Sequence, residues 1–344
     1  VSVSAHSPAH DAASLAAINA ALFHVNCSPV LGALIRHRVP DHLSEGPLDA
    51  GELARRAGLH PLSTTRALRL LTGFGIFKEV KPGTFANNGA SSLLRDGAGG
   101  MRNFAWWFTS PANWSSIGAV NHCLLTGESA WVKVLGESLW EYLRSHPEDN
   151  AAFNSMFGEL RASDHAAIAK AYDWNSVKRV VDVGGGNGSL LATILAAHTH
   201  LQGTVFDQPE VVSAAAEYLA AKGVSHRCEI LAGSFFDSIP AQGDVWILSQ
   251  ILHDWNDSDC RRILTRCRKQ MKPGDRLLVV EMVTVPCRPN MQTALNDISM
   301  LVTFGEARQR TEDEYRQLFS ACGFLLFRLV SSGGRFSIVE THAH

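Results

Sequence analysis

Three stretches of this 344-residue chain carry residue types and spacings that can do chemistry. The first, Val180 to Gly188, reads VVDVGGGNG. Glycines let backbone approach a ligand without side-chain bulk, and a helix opening behind them offers free N–H groups to an anion. Four glycines in five positions are a costly way to make a plain turn, which is the alternative reading. Asp207 lies nineteen residues past Gly188, at the end of the next expected strand, where a carboxylate can accept both hydroxyls of a ribose. The second stretch, Gly233-Ser234-Phe235-Phe236-Asp237, would lie beside a nucleobase, with Phe235 as an apolar face and Ser234 as a polar contact. The third, Ser249 to Asp257, reads SQILHDWND and ends a fourth strand. His253 there is a candidate general base, because imidazole changes charge near neutral pH. A lone histidine is more often structural, and its place beside a nucleotide-type site is what favours catalysis.

Two cofactor classes use such a loop. A dinucleotide fingerprint runs G-x-G-x-x-G/A, and from Gly184 its third position is Ser189, an imperfect match. The pattern acid-x-G-x-G-x-G, used for S-adenosylmethionine (SAM), is complete in Asp182, Gly184, Gly186 and Gly188. SAM carries no phosphate. The helix N-terminus suits its carboxylate, backbone carbonyls near Gly184 its ammonium, and Asp207 its ribose.

These residues need a scaffold, and the pattern of the chain supplies one. From Lys178 onward apolar strands alternate with helices: strands at Arg179–Val183, Gly203–Asp207, Arg227–Leu231, Asp244–Ser249, Arg276–Met282, Phe324–Val330 and Arg335–Thr341, and helices at Ser189–Ala197, Pro209–Ala221, Asp257–Met271 and Thr311–Cys322. Thr311 with Glu314 spells a capping box. The expectation is an α/β, Rossmann-like domain with a mostly parallel seven-stranded sheet and ligands at the carboxyl ends of its strands. The first half reads as helical. Asp11 to Val39 is Ala/Leu-rich, and Leu48–Gly58 and Pro61–Gly73 read as two short helices. Phe74–Ala86 reads as a hairpin turning at Lys81-Pro82-Gly83, which completes a winged-helix pattern. The expected division is a helical winged-helix domain over 1–100, a helical connecting region over 101–172 contributing to the substrate pocket, and a catalytic domain over 173–344. Tryptophans cluster in the connecting region, and the plain reading of each is core packing.

Composition narrows the function. Apolar residues make up 46% and charged residues 19% of the chain, which allows a sizeable core and excludes a disordered chain. A net charge of −2 gives no basic field for nucleic acid. Arg55, Arg56, Arg66, Arg69, Lys78 and Lys81 within the winged-helix pattern keep a DNA-binding regulator as a rival reading. Seven cysteines without a C-x-x-C pair argue against a disulfide framework or a zinc site and for a reducing, cytoplasmic setting. No metal is expected. No apolar run is expected to reach membrane-spanning length, and residues 1–10 read as a loose tail rather than a signal peptide.

The motifs VVDVGGGNG, FDQPEVV (206–212), GSFFDSIP (233–240), ILHDWND (251–257) and LLVVEMV (277–283) together resemble the caffeic-acid-type SAM-dependent O-methyltransferase family, in particular its bacterial antibiotic-biosynthesis branch. The similarity covers most of the chain. It implies SAM as cofactor, S-adenosylhomocysteine as product, a winged-helix dimerisation domain, a homodimer, and a small hydroxylated aromatic substrate. It also implies roles: His253 takes the proton from the substrate hydroxyl and Glu281 orients its imidazole. Asp182, Gly184, Gly186, Asp207, Gly233, Ser234, Phe235 and Ser249 hold the cofactor. Phe153, Asn154, Phe157, Gln250, Asp254 and Phe304 stand where the family has its substrate wall. The chain departs from the family in three places. The second orienting acid, in a G-G-x-E-R-[ST] segment, falls on Gln309 of FGEARQRT (304–311), with Glu306 as an alternative. Ser234 stands for the adenine-side acid, and Ser249 for a lysine of the plant enzymes. A relative that keeps the fold but performs hydroxylation, decarboxylation or cyclisation is the nearest rival; the presence of both His253 and Glu281 favours methyl transfer.

Overall fold

The protein was analysed as a computed structural model that describes residues 12–98, 100–159, 161–288 and 290–344. These residues fall into two compact units. One runs up to 114 and adds 146–159; the other takes 115–145 and everything from 161 on, so residues 101–172 are shared between them.

The first unit contains the winged helix. Asp49 caps the Ala50–Ala57 helix by accepting the N–H groups of Gly51 and Glu52, and Gly58 ends it in the left-handed region at φ 66°. The Pro61–Gly73 helix follows. Strands β1 (Leu48–Asp49), β2 (Phe77–Lys81) and β3 (Thr84–Asn87) form an antiparallel sheet in the order β1-β3-β2. Leu34, Val39, Leu53, Leu68, Leu71, Phe77 and Phe85 are buried together as its core. Arg55 and Arg56 are both paired with Glu52, and Arg69 with Glu79, so three of the cations that kept DNA binding in play are matched internally.

The helical stretch read over 11–39, of which Asp11 lies outside the described residues, is Ala12–Phe23, a 3₁₀ turn at His24–Asn26 and Cys27–Arg36, with Val39–His42 beginning at its end. Residues 12–36 nevertheless form a 25-residue helical run containing an 18-residue window of mean hydropathy 1.5, long and apolar enough by length and composition to cross a membrane. That corrects the expectation of no such run. Its later part is a core helix, burying Gly32, Leu34 and Ile35.

The second unit holds a seven-stranded sheet of β4 (Arg179–Val183), β5 (Gln202–Asp207), β6 (Cys228–Ala232), β7 (Val245–Ser249), β8 (Arg276–Glu281), β9 (Phe324–Ser331) and β10 (Ser337–Ala343). Their order is β6-β5-β4-β7-β8-β10-β9. The five strands from β4 to β8 are parallel, while β10 runs antiparallel between β8 and β9. Alternate residues serve two cores. Val180, Val205, Ile247, Leu278, Val280 and Ile338 face one helical layer, and Val181, Val183, Phe206, Trp246, Leu248, Val279 and Val339 face the other. Chain direction across the sheet reverses beside β4, and the carboxyl ends of β4, β5 and β7 meet at that crevice, which is where open α/β sheets bind ligands.

Two elements differ from expectation. The helix expected over 209–221 is two, Pro209–Val212 and Ala215–Ala221. At the break the Ser213 hydroxyl donates to the Glu210 carbonyl at 2.8 Å, the local competition that makes serine a poor mid-helix residue. A helix not anticipated, Met291–Phe304, is capped by Asn290, whose side chain accepts from Gln292 and Thr293.

Candidate active site

The glycine loop leaves β4 and turns into the Ser189–Ala197 helix. Gly184, Gly186 and Gly188 have φ of 71°, 59° and 77°, a region that costs a Cβ-bearing residue energy. A Cβ on Gly184 would collide with Ile251 Cδ1, whereas beside Gly186 nothing lies within 4 Å. The loop is thus crowded where it crosses the histidine segment and open at its crest. Asp182 at the end of β4 is 1% exposed, and neither carboxylate oxygen has a hydrogen-bond partner. Burial, reinforced by the charge of Asp207, pushes its carboxyl up to about 7. Asp207 ends β5; its Oδ2 accepts the Gly186 N–H at 2.8 Å and its Oδ1 that of Gln208 at 2.7 Å. Burial raises the Asp207 carboxyl too, with those two N–H groups pulling the other way.

Beyond β6 the Gly233 N–H donates to the Asp207 carbonyl at 2.9 Å, and the Ser234 hydroxyl accepts the N–H of Phe236 at 3.2 Å. Phe235 comes within 3.6 Å of where a Gly184 Cβ would be, and meets Phe236 and Trp255 edge-on with centroids 5.0 and 6.0 Å away. Ser249 ends β7 and Gln250 follows it, both partly buried. Gln250 has φ 56°, its N–H donates to the Val280 carbonyl at 2.9 Å, and its side-chain nitrogen is buried without a partner. Left-handed backbone at a glutamine is strained, and such strain collects at functional sites. The residues therefore fit a SAM-sized ligand: an unpartnered buried carboxylate, a carboxylate at the next strand end, an open glycine crest and an aromatic face gather at one crevice.

His253 lies in the 3₁₀ turn Leu252–Asp254 that follows β7, 8% exposed. Its Nδ1–H donates to Glu281 Oε2 at 2.5 Å, and its backbone N–H points at Glu281 Oε1 at 3.4 Å. Glu281 ends β8 with no exposure. A carboxylate on Nδ1 fixes the proton there and leaves Nε2 as the working nitrogen. Asp254 Oδ1 lies 3.1 Å from that Nε2. Burial opposes a charged ring, but the Glu281 and Asp254 carboxylates outweigh it and raise the imidazole to about 10.

Gln309 is buried, yet both polar atoms of its side chain lack a hydrogen-bond partner, so it makes no bond to the imidazole. Its N–H is held by Asp297 Oδ1 at 2.6 Å, on the unanticipated helix. Glu306 is exposed. The ring is instead bracketed by Glu281 and Asp254. Phe304 stacks on Trp140 at 5.9 Å. Phe153 belongs to the first unit, edge-on to Trp107 at 5.1 Å; the side chains of Asn154 and Phe157 lie outside the described residues. Residues that the sequence did not single out also shape the site. Ile251 presses on Gly184, and Cys260 donates from Sγ to the carbonyls of Leu252 and Trp255 at 3.2 and 3.4 Å. Arg161 feels Asp254 and Glu281, but burial, with repulsion from Arg335, lowers it to about 9. Among the described residues no His/Cys/Asp/Glu cluster could hold a metal ion.

Comparison with known proteins agrees with this geometry. Residues 118–325 match the family model of an O-methyltransferase domain, and residues 20–96 that of an O-methyltransferase dimerisation domain. The mitomycin biosynthesis 6-O-methyltransferase of Streptomyces lavendulae is 37% identical over 305 residues, covering 88% of this chain and 87% of that protein. Among solved structures, the mitomycin 7-O-methyltransferase MmcR superposes with a TM-score of 0.90 at 34% identity, over 97% of this chain and 98% of the other. The neocarzinostatin-pathway O-methyltransferase NcsB1, in complex with SAM and 2-hydroxy-5-methyl naphthoic acid, gives 0.80 at 32% identity over 92% and 96%. A complete acid-glycine motif, a histidine–glutamate pair and a matched dimerisation domain in one chain place it together with these proteins: it belongs to the SAM-dependent O-methyltransferase family.

Proposed function

We propose that this chain methylates a hydroxyl oxygen of a small aromatic molecule, with His253 as general base. The observation that carries the reading is the His253–Glu281 pair, buried at the strand ends beside the glycine loop. SAM supplies an electrophilic methyl group on its sulfonium. Asp182, the Gly184–Gly186 crest, Asp207 and the Gly233–Phe235 turn would hold that cofactor, and Gln250, Asp254 and Phe304 would face the acceptor. His253 Nε2 takes the hydroxyl proton as the oxygen attacks, and Glu281 stabilises the resulting imidazolium. Asp254 must release Nε2 for the hydroxyl to reach it. A phenol ionises near 10, and the Glu281 carboxylate, which stays on Nδ1, holds the imidazole's proton affinity up towards that of its acceptor.

The aromatic class is supported by NcsB1, whose complex contains a naphthoic acid. The dimerisation match supports a homodimer. Seven cysteines, all free, support a reducing cytoplasm as its location.

The test is His253→Ala, assayed on a panel of hydroxynaphthoic and hydroxybenzoic acids. The variant folds, binds S-adenosylhomocysteine as the parent does, and loses about 10²–10⁴-fold in kcat. A variant that kept full turnover would remove His253 from the mechanism.

A further inference from the structure

Arg310 has no exposure and ranks among the largest fully buried side chains of the described residues. Its Nη1–H donates to the Leu252 carbonyl at 2.6 Å and its Nη2–H to the Trp255 carbonyl at 2.8 Å. Those two carbonyls bracket the turn that bears His253. Its Nε and Nη2 also bind Asp257 Oδ1, at 3.1 and 2.8 Å. The main chain of the same residue grips the other half of the pair: the Thr284 N–H, three residues past Glu281, donates to the Arg310 carbonyl at 3.0 Å. An isolated parallel bridge between Thr284 and Thr311 adds to that hold. One residue thus joins the segment carrying the imidazole, through its guanidinium, to the segment carrying the carboxylate, through its backbone.

Stability alone does not call for this arrangement. Burying a guanidinium is unfavourable unless its donors are matched, and apolar replacement of buried ion pairs is often neutral or better. What the planar fork supplies is direction: its donors meet three acceptors at set angles, which an ammonium cannot reproduce. Cys260 reaches the same two carbonyls, but a thiol is a weak donor. We propose that Arg310 is a positioning residue that sets the distance and angle between His253 and Glu281. The inference rests on His253 being the base.

The test uses the full chain saturated with S-adenosylhomocysteine and labelled with [13Cε1]histidine, the His253 signal being the one lost in His253→Asn. In Arg310→Lys the imidazole slips from Glu281, so its proton affinity falls about tenfold or more. In the same variant kcat falls by about tenfold or more while affinity for S-adenosylhomocysteine holds within about twofold. Asp257→Asn, an isosteric change at a half-exposed site that loosens the aim of the guanidinium, gives the same pattern more weakly. An unmoved His253 titration and unchanged kcat in folded Arg310→Lys overturn the proposal. Should that variant not fold, an unmoved titration and unchanged kcat in Asp257→Asn overturn it. Loss of turnover in His253→Ala, with no effect in the other two, removes this inference and leaves the base assignment standing.

Discussion

At the residue scale the decisive feature is a histidine between two carboxylates in a buried place. Glu281 on Nδ1 and Asp254 on Nε2 favour the charged ring more than burial disfavours it. A ring raised from 6.5 unfolded to about 10 folded binds its proton more tightly in the native state. It therefore adds stability that is fully present below about pH 6.5 and is lost as the pH climbs through about 10. With His253 as the proposed base, catalysis takes the opposite sign: only the neutral ring accepts a proton, so kcat/KM should rise with pH. Glu281→Gln removes one of the two charges. Its kcat/KM should rise at lower pH than in the parent, towards a plateau about 10–100-fold lower, because a neutral amide orients the ring but holds an imidazolium poorly. A pH–rate profile that does not move would show that Glu281 does not set the ring's proton affinity.

At the scale of elements, short local signals place the site. The Thr311–Glu314 capping box is present: Thr311 accepts the Glu314 N–H at 3.2 Å, and the Glu314 carboxylate accepts that of Thr311 at 2.8 Å. It starts the Glu312–Ser320 helix directly behind Arg310, so the cap also anchors the residue that grips the histidine turn. Thr311→Ala should cost about 1 kcal/mol of stability, read as a lower denaturation midpoint with an unchanged slope. An unaltered midpoint would mean that the helix start is held by packing alone. The break at Ser213 was not legible in this way, and the helix over Met291–Phe304 was not anticipated although its local signals are present. Ser213 bonds its own preceding turn. The Met291–Phe304 helix has an Asn290 cap and apolar residues at helical spacing in Met291, Leu295, Ile298 and Val302, of which Val302 is buried and the other three are exposed.

At the scale of the whole molecule, two units with separate cores imply that thermal unfolding need not be a single transition. The residues proposed to hold SAM all lie in the second unit. S-adenosylhomocysteine at one hundred times its dissociation constant should stabilise that unit by about 2.7 kcal/mol, so calorimetry should show the transition of the second unit moving up and that of the winged helix moving less. Equal movement of both, or none, would contradict a cofactor site confined to the sheet domain.

The amino-acid sequence by itself determined the glycine crest, Asp207, the order of strands and helices around the loop, the winged-helix pattern and the capping box. Each is written in residues adjacent in the chain, where glycine freedom, strand alternation and cap chemistry act over a few positions. The resemblance already implied Glu281 as one partner of His253; tertiary structure alone decided the other. Gln309 occupies the register of an orienting acid, but its side-chain amide makes no hydrogen bond, while Asp297 holds its backbone N–H. Asp254 takes the other ring nitrogen. Arg310, one more arginine in an Arg-rich segment, reaches carbonyls 55 and 58 positions away. The physical reason is the same in each case: a hydrogen bond between distant segments depends on where the sheet and its connections bring them, and no local pattern records that distance.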